Sequence, residues 1–352
     1  MKRVVHWLAA VLGLCITASA AAQIVVGQTS GFSGPVAAGV KEVSDGAKLY
    51  IDATNAKGGV NGQAIEIVAM DDKFDPKLAG ENAKVLITEK NVVAPFLSRG
   101  THHTQALVPP PDQDKVPLIA PSTGAMVLHK PLNPWVFHVR ATYQREAERA
   151  VQHLSLIGMD HIGVIHVEDS FGADLLEGAK RGFAGVGKNA VFIEKYDRAK
   201  WDFAKIAPLV ASSGVQAVLF IGSGNAVADG IEAIRKAGSR AQIVTFSNNA
   251  SGGFVKSLKE NARGVIVTQV FPYERSLSAP MVKEAHDLAV AKGLEGVSPA
   301  MLEGFAAAKV LVAALRRAGP TPTRAKIQQA LESMNKVDIG GLEISYSAAD
   351  HT

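Results

Sequence analysis

The sequence predicts an α/β protein built from two doubly wound parallel-sheet lobes that are joined by a hinge. Strand-like apolar runs alternate with helical patterns along the 352 residues, and the alternation passes through two similar stretches, 23–140 and 141–265. Repeated strand–helix units form parallel sheets with helices on both faces. Because right-handed crossovers bring the carboxyl ends of such strands to one edge of the sheet, a ligand is expected at that edge.

The first lobe is predicted from six segments between residues 23 and 123. The first helix closes on Gly58-Gly59, a pair typical of a helix carboxyl end, and the last strand ends in Pro-Ser-Thr. In chain order these segments are a strand at 23–30, a helix at 42–59, a strand at 63–72, a helix at 76–90, and strands at 92–100 and 116–123.

The second lobe repeats the same alternation of apolar runs and helical patterns. Its predicted segments are strands at 161–169, 190–197, 217–224 and 241–249, with helices at 171–185, 203–214 and 228–238. Residues 136–143 and 264–274 are predicted to cross between the lobes. The alanine-rich helix 300–319, which stops at Gly319-Pro320, is predicted to pack back on the first lobe, so that 266–352 returns there.

The first 22 residues have the order of a secretory signal peptide. Lys2 and Arg3 precede a short apolar run at 8–17, and small residues then lead to an expected cleavage before Gln23. The run is too short to span a bilayer. The only cysteine, Cys15, lies within this segment, so the mature chain is expected to be periplasmic and to have neither a disulfide nor a catalytic thiolate.

Charge and motifs argue against several classes of function. The net charge of +4 comes from interspersed residues without a basic block, which disfavours nucleic acid as a partner. The stretch IGSGNAVADG (221–230) follows a strand, but Val227 replaces the third glycine of a dinucleotide turn. Adjacent helical residues point about 100° apart, so His102-His103 is a poor chelating pair. No metal and no cofactor is predicted, and no GxSxG motif indicates a serine hydrolase.

Five segments together resemble a known family. The segments are GFSGPVAAG (31–39), GAKLYIDATNAKGGVNGQAIEIVAMDDKFDP (46–76), GTHHTQALVPPPDQDKVPLIAPSTGA (100–125), HVEDSFGADLLEGAKRG (166–182) and EGFAAAKVLVAALRRAG (303–319). They resemble the branched-chain amino-acid type of periplasmic solute-binding proteins of ABC transporters, which have the type I two-lobe fold. The resemblance implies a protein that captures a small solute between closing lobes and passes it to a membrane permease, without catalysis and as a monomer.

The resemblance also implies where the solute contacts lie. On the first lobe the family's carboxylate site falls at Gly100 and Thr101, where a strand ends and a helix begins, and free N–H groups there favour an anion. The contacts implied by the resemblance are Gly100, Thr101 and His102, then Ser122, Thr123 and Gly124, and on the second lobe Phe171, Ser223, Gly224, Ser247 and Asn248.

Two departures from the family pattern matter. Amino-acid binders carry an acidic residue near 247–248, but no Asp or Glu occurs from 233 to 259. Since a buried ammonium without a counter-charge is costly, the solute is expected to be an organic acid or an amide, unless Asp169 or Asp174 substitutes. The chain also ends where a third crossing is expected, near 345–352, so the final segment of the second lobe is expected to be missing.

Two other functions remain compatible with the sequence. A ligand sensor of the same fold would pass a signal to a protein partner, and a branched-chain amino-acid binder proper would need an acid from elsewhere in the chain. An enzyme is disfavoured because each candidate catalytic motif is incomplete.

Overall fold

The computed structural model describes residues 23–108 and 115–352, and the predicted signal peptide lies outside the described residues. The strands are β1 (Ile24–Ser30), β2 (Ile65–Asp71), β3 (Ala94–Pro95), β4 (Leu118–Ile119), β5 (Val136–Phe137), β6 (Ile162–Val167), β7 (Ile193–Tyr196), β8 (Ala217–Ile221), β9 (Gln242–Thr245), β10 (Val265–Val267), β11 (Val337–Asp338) and β12 (Glu343–Ile344). The helices are α1 (Ala37–Ala56), α2 (Pro76–Thr88), α3 (Thr101–Leu107), α4 (Tyr143–Leu156), α5 (Ser170–Gly185), α6 (Ile206–Ser212), α7 (Asn225–Lys236), α8 (Gly252–Ser257), α9 (Pro280–Ala291), α10 (Pro299–Ala318) and α11 (Arg324–Glu332).

Apart from the antiparallel pair of β11 and β12, the strands of the described residues form two parallel layers, as the sequence predicts. In the first lobe β2, β1 and β3 pair in that order, and a bridge from Phe96 to Ile119 joins them to the parallel pair of β4 and β5. In the second lobe five parallel strands have the order β10-β9-β8-β6-β7. Each layer has its own apolar core, and the carboxyl ends of the strands in each sheet lie at one edge. The predicted boundaries at 140 and 265 stay a prediction.

Two elements differ from their predicted bounds for local reasons. The predicted strand 92–100 is regular only at Ala94–Pro95, because Pro95 cannot donate a ladder hydrogen bond and Leu97 has a positive φ of 52°. Helix α1 begins at Ala37 rather than at 42. The residue before it, Val36, makes no side-chain cap, so the sequence holds no start signal at that point.

Helices α1 and α10 cross at very close range in the core of the first lobe. Gly46 and Gly304 form the contact, since a Cβ on Gly46 would overlap the Met301 backbone and a Cβ on Gly304 would overlap the Val43 carbonyl oxygen. Helix α10 is buried along most of its length, so this crossing anchors the returning part of the chain on the first lobe. Only glycine allows the two backbones to approach this closely.

A stacked histidine pair lies beside the first crossing segment. The rings of His129 and His138 are 3.5 Å apart between centroids, and His129 Nε2 and His138 Nδ1 are buried with no partner among the described residues. The His138 N–H donates to the His351 carbonyl oxygen at 2.9 Å. Burial lowers the pKa of His129 to about 4 and that of His138 to about 3, so both rings are neutral in the folded protein.

We expect Gly304→Ala to lower the free energy of unfolding by about 1–3 kcal/mol, because the new methyl group forces α1 and α10 apart. The matched control is Gly80→Ala in α2, where a Cβ has ordinary contacts with Ala106. Gly80→Ala should raise the free energy of unfolding by about 0.5–1 kcal/mol through helix propensity alone. Urea unfolding of both variants measures the difference, and equal effects would contradict the close crossing.

We expect the melting temperature to fall as the pH drops from 7 towards 5. In the unfolded chain these histidines have their ordinary pKa and bind protons as the pH falls. In the folded protein the buried rings stay neutral, so the fall in pH favours the unfolded chain. Burial also raises the pKa of Asp72 to about 6, so that group stabilises the folded state at low pH and offsets part of the loss. His129→Phe should flatten the pH dependence, whereas His161→Phe at an exposed position should leave it unchanged. A melting temperature that rises towards pH 5 would refute this.

Candidate functional site

Two adjoining cavities lie between the lobes at the carboxyl ends of the strands, and we call them together the cleft. The first is about 20 Å³ and the second about 70 Å³. The first is lined by Phe74, Arg99, Gly100, Thr101, His102, His103, Tyr143, Phe171, Arg198, Ser223 and Asn248, and the second by Pro35, Val36, Ala38, Gly39, Arg99, Gly224, Asn225, Asn248, Asn249, Ser251, Gly253, Phe254 and Ser257. Since a water needs about 10–15 Å³, the first cavity is nearly filled by protein and the lobes are closed.

Arg99 occupies the centre of the cleft and borders both cavities. It is 6% exposed, and its guanidinium donates to Ser122 Oγ at 3.2 Å and to the carbonyl oxygen of Asn248 on the other lobe. No Asp or Glu among the described residues forms an ion pair with it. A guanidinium has five N–H donors, so several are left for another acceptor, and its positive charge lacks a protein counter-charge.

Of the predicted hydroxyl groups, Ser122 bonds to Arg99 and Thr101 lines the first cavity together with it. Thr101 Oγ1 and Thr123 Oγ1 are 3.0 Å apart and both residues are buried, while Ser122 already accepts from Arg99. Gly100 caps α3 with a φ of 92°, and a Cβ at this position would press on the ring of His103. The predicted strand-to-helix junction is therefore present, but α3 is only seven residues long and its dipole adds little beside a full arginine charge.

The two histidines of the opening turn of α3 have different roles. His102 Nε2 is 3.1 Å from Ser170 Oγ, so this residue bridges the two lobes at the rim of the first cavity. His103 is buried and stacked on Phe74, with ring centroids 4.1 Å apart. Burial lowers the pKa of His103 to about 4, opposed by a hydrogen bond to the Phe74 backbone, and its Nε2 has no partner among the described residues.

Aromatic rings form the wall of the first cavity. Phe171 packs edge-to-face on Tyr143 with centroids 5.1 Å apart, and the Arg198 guanidinium lies over the rings of both Phe74 and Phe171. The predicted contact Phe171 thus lines the cleft, on an apolar surface that carries a cation at its edge. Such a surface accommodates the carbon skeleton of a small solute.

The turns after β8 and β9 supply the opposite side of the cleft. Asn248 Nδ2 donates to the Gly222 carbonyl oxygen at 2.9 Å and to Ser223 Oγ at 3.1 Å. Gly224 has a φ of 55°, and a Cβ on it would overlap the Pro35 carbonyl oxygen of the first lobe. The next residue, Asn225, donates its N–H to that same oxygen at 3.2 Å. Ser223, Gly224 and Asn248 therefore border the cleft as predicted.

Four residues of the predicted set lie outside both cavity linings: Ser122, which bonds to Arg99, Thr123, which bonds to Thr101, and Gly124 and Ser247. Gly124 packs against the backbone of residues 141–143, and its carbonyl oxygen accepts the Tyr143 N–H at 2.9 Å, so it supports the crossing segment. Ser247 is buried at the hinge, where its hydroxyl is bonded to Arg140 and Glu146. Neither lines either cavity, because each turn directs its backbone and side chain towards the crossing rather than the cleft.

The hinge contains a buried ion cluster. Arg140 in the first crossing lies between Glu146 of α4, at 3.3 Å, and Glu303 of α10, at 3.5 Å, with all three side chains almost fully buried. Glu146 also accepts from the Ser247 N–H at 2.7 Å and from the Thr268 hydroxyl in the second crossing. One arginine thus ties the crossing segments to a helix of each lobe.

The charge balance of the cleft is positive. Neither cavity is lined by an Asp or Glu among the described residues. Asp169 caps α5 and pairs with Arg198 at 2.5 Å, while Asp174 accepts from the Met126 N–H and from Gln144. Asp169 therefore balances an arginine of the cleft lining, and Asp174 lies outside both linings, with Oδ1 bonded and Oδ2 without a partner among the described residues.

Several residues of the cleft lining were not among the predicted contacts, and Arg99, Phe74 and Arg198 contribute most to its charge and its aromatic wall. Arg99 had a usable signal, since it is a charge inside the apolar stretch FLSRG, which is otherwise buried. Phe74 and Arg198 had none, because they come from loops more than 100 residues apart that only the folded chain brings together.

Comparisons with known proteins agree with the fold. A sequence model of the family described as "Periplasmic binding protein" matches residues 23–352. The Leu/Ile/Val-binding protein of Escherichia coli K12 is 23% identical over 321 residues, covering 90% of this chain and 85% of that protein. A substrate-binding periplasmic protein from Ralstonia solanacearum has a TM-score of 0.85 at 29% identity, covering 93% of this chain and 94% of that one. A possible leucine/isoleucine/valine-binding protein from Rhodopirellula baltica gives 0.87 at 25%, covering 96% and 93%.

Two features are absent from the described residues. None of their helices combines the length and the apolar run that crossing a bilayer requires. No three His, Cys, Asp or Glu side chains in this part of the chain come together as a possible metal cluster.

We expect Arg140→Met to destabilise the protein by about 3–5 kcal/mol, because two buried carboxylates lose their shared counter-charge. Glu303→Gln should cost less, since Arg140 and Glu146 then remain as a one-to-one pair. Denaturant unfolding of the two variants compares them directly. A larger loss in Glu303→Gln than in Arg140→Met would show that Arg140 does not hold the cluster together.

Proposed function

The chain belongs to the periplasmic binding protein family, and on that premise we propose that it captures a small carboxylate-bearing solute between its lobes. The family resemblance of the sequence motifs is confirmed by the match over residues 23–352. The captured solute is then delivered to an ABC-type permease at the membrane. In this proposal the protein is exported to the periplasm and binds without catalysis.

The observation that carries the carboxylate is the unpaired charge of Arg99. A buried guanidinium without a counter-ion is unfavourable, and a bound carboxylate supplies both the charge and the acceptor atoms that it lacks. The hydroxyl group of Ser122 bonds to Arg99, and that of Thr101, which lines the same cavity and is bonded to Thr123, adds a neutral hydrogen bond. A neutral amide would leave the charge uncompensated, so the acid is favoured over the amide.

The same charge balance argues against an ammonium group on the solute. Arg198 is balanced by Asp169, but Arg99 has no carboxylate partner, and the described residues that line the cleft include no acid. An ammonium would be buried near the unpaired charge of Arg99, which costs several kcal/mol unless it is paired. An organic acid without an amino group fits the cleft better.

A branched-chain amino-acid binder is the second candidate. It is favoured by the names of relatives, among them the Leu/Ile/Val-binding protein that is 23% identical. Under this alternative the ammonium would have to be held by neutral oxygen atoms alone.

Binding requires the lobes to separate and close again. The first cavity leaves about 20 Å³, room for about one water, so a solute that reaches Arg99 needs an open form to enter. Interlobe bonds such as His102 to Ser170 and Asn225 to Pro35 would break on opening and re-form around the solute. Site contacts proposed for the bound form are Arg99, Thr101, Phe171 and Asn248.

We expect a thermal-shift panel to give its largest shifts with organic acids. The panel compares isovalerate, isocaproate and benzoate with leucine, valine and the matching amides. A ligand at one hundred times its Kd stabilises by about 2.7 kcal/mol. If leucine or valine gives the largest shift, the amino-acid alternative is correct and the argument from the missing acid is wrong.

We expect Arg99→Met to weaken acid binding about 100-fold, since it removes a charge-assisted hydrogen bond pair from a dry site. Arg240→Met at an exposed position is the matched control and should leave the Kd unchanged. Thr101→Val should cost about tenfold, for the loss of one neutral hydrogen bond. Calorimetric titration measures all three, and an unaltered Kd in Arg99→Met would place the carboxylate elsewhere.

A further inference from the structure

Two buried acceptor atoms of the cleft have no partner among the described residues. They are His103 Nε2 on the first lobe and Asn248 Oδ1 on the second, and both residues line the first cavity with Arg99. His103 is 3% exposed and Asn248 5% exposed. A buried polar atom left unpaired is unfavourable, so two of them in one cleft require an explanation.

The ring of His103 borders the first cavity and is neutral. Burial lowers its pKa to about 4, and a neutral imidazole has one donor and one acceptor nitrogen. Nε2 is the buried nitrogen without a partner among the described residues. Because an unsatisfied buried N–H is rarer than an unsatisfied acceptor, we assign the proton to Nδ1 and the lone pair to Nε2, which then needs an N–H or O–H from outside the protein.

The amide of Asn248 is oriented by the turn after β8. Its Nδ2 donates to the Gly222 carbonyl oxygen, which can only accept, at 2.9 Å. This bond fixes which end of the amide is nitrogen, and Oδ1 therefore faces away from the turn as a second free acceptor.

We propose that the solute carries, besides its carboxylate, an uncharged hydrogen-bond donor that His103 Nε2 and Asn248 Oδ1 recognise. This inference rests on the proposed function and adds the chemical class of the solute: a hydroxy acid or an acid with an amide N–H. Arg99, which has no carboxylate partner among the described residues, makes the cleft positive, so a hydroxyl or amide donor fits it where an ammonium donor does not. The carboxylate and the donor together satisfy the charge and the two free acceptors.

The first test compares matched ligands on the unaltered protein by calorimetric titration. One pair is benzoate against meta- and para-hydroxybenzoate, a second is isovalerate against α- and β-hydroxyisovalerate, and a third is levulinate against succinamate, which differ by a methyl and an amide NH₂. We expect at least one donor-bearing ligand to bind about tenfold tighter than its partner. A hydroxyl pair and the amide pair distinguish the two sources of the donor.

The second test measures the same ligands on the His103→Phe variant. This change keeps a ring stacked on Phe74 but removes the acceptor atom Nε2. The tenfold advantage of the donor-bearing ligand should shrink to about twofold or less in this variant. His161→Phe, the same change at an exposed residue, should preserve the full advantage. If His103→Phe does not fold, the ligand pairs on the unaltered protein still decide the question.

The outcomes separate this inference from the proposed function. Acids that bind through Arg99 with no preference for a donor, or a preference that survives in His103→Phe, overturn the inference alone. Tighter binding of valine than of α-hydroxyisovalerate overturns it too, because the donor would then be charged. If no acid in the panel binds, the proposed function itself fails.

Discussion

The fold depends on how the charge of one buried arginine at the hinge is neutralised. Arg140 has a carboxylate from each lobe, Glu146 and Glu303, within 3.5 Å, and the cluster excludes water. In a dry site each charge is tolerated only through its partners, so the crossing segments are held in register with both lobes. The cleft lies next to this cluster. The shape of the cleft therefore depends on how the Arg140 cluster positions the two sheets relative to each other.

A second buried arginine shows the opposite arrangement. Arg99 has a hydroxyl and a carbonyl oxygen as partners but no carboxylate among the described residues. The two arginines lie in one continuous interlobe region, so the difference is in their partners rather than their burial. The charge of Arg140 is neutralised by protein carboxylates and serves the structure. The charge of Arg99 is not neutralised by the described part of the chain and is available to a solute.

The sequence was sufficient for the fold class and for part of the cleft. Alternating strand and helix patterns predicted both parallel sheets, and the family motifs placed Thr101, Phe171 and Asn248 beside the cleft. Ser247 lies at the hinge, although its neighbour Asn248 lines the cleft, because adjacent residues of one tight turn point to different sides. Sequence spacing alone does not show which side each residue faces. Phe74 and Arg198 could not be predicted, since their contact depends on the closed approach of two loops that are distant in the chain.

The close approach of Gly224 to Pro35 has a consequence for affinity that involves no ligand atom. Any side chain at position 224 would overlap the Pro35 carbonyl oxygen and act as a wedge against closure. The apparent Kd equals the intrinsic Kd divided by the fraction of molecules that can close. Affinity can therefore be tuned at this glycine through the open–closed equilibrium while specificity, set by the side chains of the cleft, stays the same.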